Sequence, residues 1–221
     1  MRARPTAFVD SERFWVELYE RGGNSGSGSY GKLAEFKAEF LNRWVRDHDI
    51  QAIMEFGCGD GNQLRLAAYP SYTGFDVSPR AVAMCREQFA NDKAKSFRLV
   101  SEYDGERAQL VLSLDVLYHL IEDAAFTEYM HRLFASADVF VIIYSSNSDV
   151  GQAEGMPEVK RRRFTDWIDV NAPDWTLVNK TPNRHPFSGD AKTGSQSDFY
   201  VYQRQKDGWL RSRHGRVQRS W

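Results

Sequence analysis

The chain has 221 residues, enough for one α/β domain with a small cap and too few for two full domains. Hydrophobic residues at 42% and charged residues at 27% are the proportions of a globular protein, and a formal net charge of −1 excludes a global field for nucleic acid or an anionic membrane. Two cysteines, Cys58 and Cys85, offer neither metal-ligand spacing nor a disulfide framework, and no apolar run approaches the ~20 residues of a membrane span. With no signal core at the N-terminus, a cytoplasmic protein without a metal is expected.

Residues 14–19 form a short amphipathic segment that leads into a Gly/Ser loop over 21–29. From Tyr30, apolar residues at Leu33, Phe36, Phe40, Leu41, Trp44 and Val45 predict a helix, with Ser29 as its N-cap. Short apolar runs then alternate with helical patterns, the pattern of repeated βα units and a mostly parallel sheet. Strands are expected over 52–56, 72–75, 96–100, 110–114 and 139–144, and helices over 63–69, 79–91 and 124–134. Ser78-Pro79 reads as an N-cap followed by proline at the first helical position. A helical patch over 164–170 and strands over 176–180 and 199–203 close the fold. The expected division is a cap or lid with the first helix over 1–49, a ligand-binding core over 50–205 and a basic tail over 206–221.

The most informative segment is Glu55-Phe56-Gly57-Cys58-Gly59-Asp60-Gly61-Asn62, where an apolar strand runs into three glycines at alternate positions. A turn this tight needs backbone without Cβ atoms, and it lets a ligand lie against the main chain. Dinucleotide enzymes that cradle a pyrophosphate space their glycines as G-x-G-x-x-G. The spacing here is E-x-G-x-G-x-G, and it resembles motif I of the class I S-adenosylmethionine (SAM)-dependent methyltransferases. Tyr72 to Ser78 resembles motif II, residues 97–104 the third motif and residues 110–120 the fourth, so the likeness covers roughly residues 50–145. The N-terminal Gly/Ser stretch is also similar to a subset of small bacterial methyltransferases.

The resemblance implies a Rossmann-like fold: a mostly parallel seven-stranded sheet with an antiparallel last strand and helices on both faces. It implies SAM as cofactor, with S-adenosylhomocysteine as product. Glu55, Gly57, Cys58, Gly59, Gly61 and Asn62 would hold its methionine end and ribose, and Asp76 with Val77 the ribose hydroxyls. Glu102 and Tyr103 would meet adenine, and Leu114 and Asp115 would border the methionine moiety. Tyr30 would belong to a lid, and Lys37 would reach the SAM carboxylate or else lie on a solvated helix face.

Methyl transfer to a hydroxyl needs alignment and a base. His119 is the candidate, because an imidazole titrates near neutrality, and Tyr118 beside it reads as a pocket wall. Tyr144 and Asn147 at a strand end, and Arg184 and His185 in a long inter-strand loop, are candidate acceptor contacts. The runs Lys160–Arg163 and Arg204–Arg219 read as solvated charge more readily than as a phosphate site. The expected activity is O-methylation of a small-molecule or sugar acceptor. An RNA or tRNA methyltransferase and a non-catalytic SAM-binding partner of the same fold stay open, although an Asn/Asp-Pro-Pro-aromatic motif is absent.

Overall fold

Alternation along the strands sorts side chains to two faces, and both faces of the sheet are buried. In the computed structural model, which describes residues 8–152 and 155–205, β1 (Ile53–Phe56), β2 (Tyr72–Asp76), β3 (Lys95–Leu99), β4 (Ala108–Leu114) and β5 (Ala137–Ser145) run parallel. A two-residue hairpin pair, β6 (Gly151–Gln152) with β7 (Lys160–Arg161), stands apart from them. The strands β8 (Trp175–Thr181) and β9 (Asp198–Arg204) complete the sheet in the order β3-β2-β1-β4-β5-β9-β8, with β9 antiparallel to both neighbours. The expected Rossmann-like class I methyltransferase fold is therefore present.

On one face Ile53, Leu110, Leu112, Ile142, Tyr144, Phe199 and Val201 pack beneath α2 (Gly31–Asp47) and α3 (Pro79–Gln88). On the other, Met54, Phe56, Val111, Val141, Ile143 and Tyr200 meet α4 (Asp123–Ala135) and α5 (Phe164–Asn171). Phe40 of α2 stacks on Phe199 at 4.0 Å between ring centroids, a contact type worth about 1 kcal/mol beyond its buried area. The N-terminal α1 (Ser11–Glu20) is capped by Asp10, whose side chain accepts from Arg13 N.

Two local expectations fail. The helix over 63–69 is a single 3-10 turn, Gln63–Leu66. Only residues 62–71 separate the last loop glycine from β2, and Pro70 cannot donate within a helix. Nor does Ser29 cap α2: it lies in its own short turn, Ser27–Ser29, and Tyr30 occupies the cap position without a side-chain bond. Ser78 does cap α3, accepting from Ala81 N ahead of Pro79.

Candidate active site

The site forms where β1 lies between β2 and β4, the switch point at which open α/β sheets bind ligands beyond their carboxyl strand ends. Gly57 N and Cys58 N donate to Phe75 O at 2.7 and 3.1 Å, which bends the chain sharply after β1. Gly57, Gly59 and Gly61 take φ values of +90°, +58° and +74°, a region that costs other residues strain. A Cβ at Gly57 would lie 2.5 Å from Val116 Cγ2, and one at Gly59 would run into Ser25 Oγ and reach 2.9 Å from the Tyr19 hydroxyl.

Two buried carboxyls flank this loop. Asp76 accepts from Gly59 N and Ser78 N, each at 2.9 Å. Burial raises its pKa while backbone N–H groups of Ser78, Gly59 and Val77 oppose the rise. An anchored carboxylate keeps lone pairs for further donors. Glu55 accepts the Tyr72 hydroxyl at 2.6 Å, and burial pushes its pKa to about 7. Cys58 and Cys85 are buried free thiols, with Cys85 Sγ donating to Gly59 O at 3.2 Å.

The Gly/Ser segment 22–30 closes onto the loop through Asp60, a residue the sequence reading passed over. Ser25 N donates to Asp60 Oδ2 at 3.0 Å, and Asp60 N donates back to Ser25 Oγ at 2.9 Å. The Tyr30 hydroxyl donates to the same Oδ2 at 2.7 Å, and Asn62 Nδ2 donates to Ser29 O at 2.6 Å. The available signal was an acidic residue inside the glycine trio, with a polar segment elsewhere rich in donors.

Asp115, just past β4, is a hydrogen-bond hub. Its φ is +59°, an uncommon conformation for a residue with a Cβ. Lys37 Nζ pairs with its Oδ2 at 2.8 Å, and the Lys37 side chain is only 1% exposed, so the solvated-face alternative for Lys37 is overturned. Ser197 Oγ donates to Oδ1 at 3.0 Å, and the Tyr118 hydroxyl donates to the same carboxylate. Burial and the Asp115 charge keep that phenol protonated, so Tyr118 serves as a donor. Tyr144 lies 5.3 Å below Lys37 Nζ and accepts from Asn183 Nδ2 at 2.8 Å. Leu114 is buried at the end of β4.

His119 ends a 3-10 turn, Leu117–His119, and its Nδ1 lies 2.9 Å from Glu158 O. A carbonyl can only accept, so Nδ1 carries the proton and Nε2 is the basic nitrogen. Burial lowers the pKa of the imidazole, against smaller opposing effects of Glu158 and Asp115. Neutral His119 is thus the form present at pH 7.

Other candidates have partners of their own. Glu102 is exposed, caps a turn through Leu99 N at 2.7 Å and lies 3.9 Å from Arg86. Tyr103 packs edge-on against Phe56 and Phe75 and donates to Glu106 O. Asn147 is bonded to Thr165, Arg184 holds Glu39 through both terminal nitrogens, and His185 lies edge-on to Phe36 at 6.3 Å. Lys160 and Arg162 pair with Asp123. The basic tail lies outside the described residues. Among the described residues no group of three or more His, Cys, Asp or Glu is placed to hold a metal ion.

A glycine cradle at the end of β1, an anchored acid at the end of β2 and this strand order define a class I methyltransferase. A family model described as a methyltransferase domain matches residues 29–187, and the chain belongs to that family. A small RNA 2'-O-methyltransferase of Arabidopsis thaliana is 22% identical over 215 residues, covering 78% of this chain. The chain spans only 23% of that relative's length. Among solved structures, N-methyltransferase NodS from Bradyrhizobium japonicum WM9, in complex with S-adenosylhomocysteine, has a TM-score of 0.65 at 14% identity, covering 87% of this chain and 99% of that one. Magnesium protoporphyrin IX methyltransferase from Synechocystis PCC 6803, with bound SAM, scores 0.64 at 16% identity, covering 91% of this chain and 100% of that one. At these identities the likeness is one of fold. The family takes SAM as its methyl donor, and the bare backbone of the cradle fits a ligand that lies on the main chain.

Proposed function

We propose that the chain transfers a methyl group from SAM to an oxygen of a small-molecule or sugar acceptor, with His119 as general base. The observation that carries this reading is the His119 Nδ1 contact to Glu158 O at 2.9 Å, which leaves Nε2 unprotonated beside the end of β4. In the same reading the cradle from Glu55 to Asn62 holds the methionine end, Asp76 and Val77 hold the ribose, and Glu102 and Tyr103 border adenine. Leu114, Asp115, Lys37 and Tyr30 line the cover over the methionine end, while Tyr144, Asn147, Arg184 and His185 are acceptor-side contacts.

SAM when bound supplies a methyl group already activated on a sulfonium. The chain's task is therefore to align the acceptor, exclude water and remove one proton. His119 Nε2 takes that proton, and the resulting imidazolium is stabilised by the Glu158 carbonyl and the Asp115 charge. Lys37 and Tyr118 hold Asp115 in place as this happens. An RNA acceptor is disfavoured by Lys160 and Arg162, which spend their charge on Asp123. No helix among the described residues is long and apolar enough to cross a membrane; the two free buried thiols suit a reducing, cytoplasmic compartment.

Calorimetry with S-adenosylhomocysteine tests the cofactor half of the reading. Binding near −8 kcal/mol, about micromolar, that is lost in Asp76→Ala is the expected result. His119→Ala should keep that binding and lose turnover on an oxygen acceptor. Full turnover in His119→Ala would remove the base assignment, and cofactor binding without turnover on any acceptor would favour a non-catalytic partner protein.

A further inference from the structure

We propose that Trp15 is the acceptor platform and that the acceptor is a pyranose sugar, a step that rests on the O-methyl transfer reading above. Trp15 belongs to α1, and its ring lies 4.8 Å from the His119 imidazole at 80°, edge to face. Phe14 stands beside it at 5.6 Å and 90°, and Tyr118 flanks His119 on another side at 4.5 Å. Trp15 and Phe14 are only half-buried, so part of this aromatic cluster around His119 stays open.

This platform is fixed in place. Ser11 N and Ser11 Oγ donate to the two oxygens of Glu122 at 3.1 and 2.6 Å, and Ile121 N donates to Ser11 Oγ at 2.9 Å. The start of α1 is thereby stapled to the segment that follows His119. A rigid indole loses little entropy when a ligand stacks on it.

A second observation concerns the neighbouring strand end. The hydroxyls of Ser145 and Ser146, 0% and 6% exposed at the end of β5, have no hydrogen-bond partner among the described residues. Buried polar groups without partners are rare, and each costs free energy until a ligand or water supplies one. A pyranose answers both features. Its C–H face stacks on an indole, and its ring of hydroxyls supplies partners for the serines. A flat phenol would cover the indole and leave the serines unmet. In the transfer the sugar oxygen gains the methyl carbon, S-adenosylhomocysteine departs, and the hydroxyl proton passes to His119 Nε2.

The test uses the full chain loaded with S-adenosylhomocysteine. Saturation-transfer NMR would be run against free glucose, mannose, rhamnose, fucose, N-acetylglucosamine and glucuronate, with catechol and adenosine as counter-probes. Methyl transfer to the same panel is then followed with SAM. The expected result is that at least one sugar binds through its C–H protons and is methylated. Trp15→Ala should raise KM for that sugar at least tenfold with kcat within threefold, Trp15→Phe should recover part of the loss, and S-adenosylhomocysteine affinity should be unchanged. Ser146→Ala should raise KM several-fold. No sugar binding, or a sugar KM indifferent to Trp15→Ala, overturns the platform. Methylation of catechol without any sugar binding also overturns it, while leaving the O-methyl reading intact.

Discussion

Gly59→Ala puts the closed cover and the cradle to the same test. Alanine at φ +58° carries a left-handed penalty of about 1 kcal/mol. The added Cβ collides with Ser25 Oγ and comes within 2.9 Å of the Tyr19 hydroxyl, so Ser25 must move. Moving it removes the Ser25 N–Asp60, Asp60 N–Ser25 and Tyr19–Ser25 hydrogen bonds, of 3.0, 2.9 and 2.8 Å. At about 1 kcal/mol each, less what the freed groups recover from water, the total comes to roughly 2–4 kcal/mol. For a chain of this length that lowers Tm by roughly 5–15 °C. Gly22→Ala is the control, because Gly22 has φ +76° with nothing within 4 Å of its added Cβ. Scanning calorimetry and S-adenosylhomocysteine titration of both variants should show Gly59→Ala losing more stability and at least tenfold more affinity. In a Ser25→Ala background the collision with Oγ is gone and only the close approach to the Tyr19 hydroxyl remains, so the extra cost of Gly59→Ala should shrink. Equal behaviour of the two glycine variants would refute the argument that the cover is read through Gly59.

Three further outcomes follow from the buried charges. Because burial depresses the His119 pKa from 6.5, kcat/KM should rise with pH through a midpoint below 6.5 and then level off, and a midpoint above 7 would contradict the assignment. Lys37→Met strands the Asp115 carboxylate and should cost about 3–5 kcal/mol in denaturant unfolding, whereas Lys37→Met with Asp115→Asn should recover part of that loss; an additive double mutant would contradict the ion pair. Glu55, with a folded-state pKa raised to about 7 from 4.5, favours the folded state in its protonated form. Its contribution is full below pH 4.5 and is lost as pH rises through 7, so Glu55→Gln should flatten the fall in Tm between pH 5.5 and 8, and an unchanged slope would exclude Glu55 as its source.

The seven sheet strands were legible as short segments rich in apolar residues between turns, most clearly over residues 110–114 and 139–144. The glycine cradle was legible for a local reason too: three closely spaced positive-φ positions favour glycine, although a single one such as Asp115 admits an acid. What escaped were features decided by distant neighbours. The stretch over 63–69 read as a helix between two strands, but the short span to β2 left room for one turn. The β6–β7 hairpin has two residues per strand, too few for any period to register. Lys37 read equally as a cofactor contact or a solvated residue until Asp115, 78 positions on, came to meet it, and Asp60 acquired a role only once Ser25 and Tyr30 folded back. Single residues whose partners lie far along the chain leave no pattern behind.

Asp115 accepts from Lys37 near one end of the described chain and from Ser197 near the other. The second bond needs β9 in place between β5 and β8, since Ser197 immediately precedes β9. A nascent chain that has emerged only as far as β5 already contains the glycine loop and Asp76, yet Asp115 still lacks Ser197. Contacts this far apart in sequence close late, because they carry the largest loop entropy. The hub at Asp115 is thus completed late in synthesis, after the strands that carry the glycine loop have had the chance to pair.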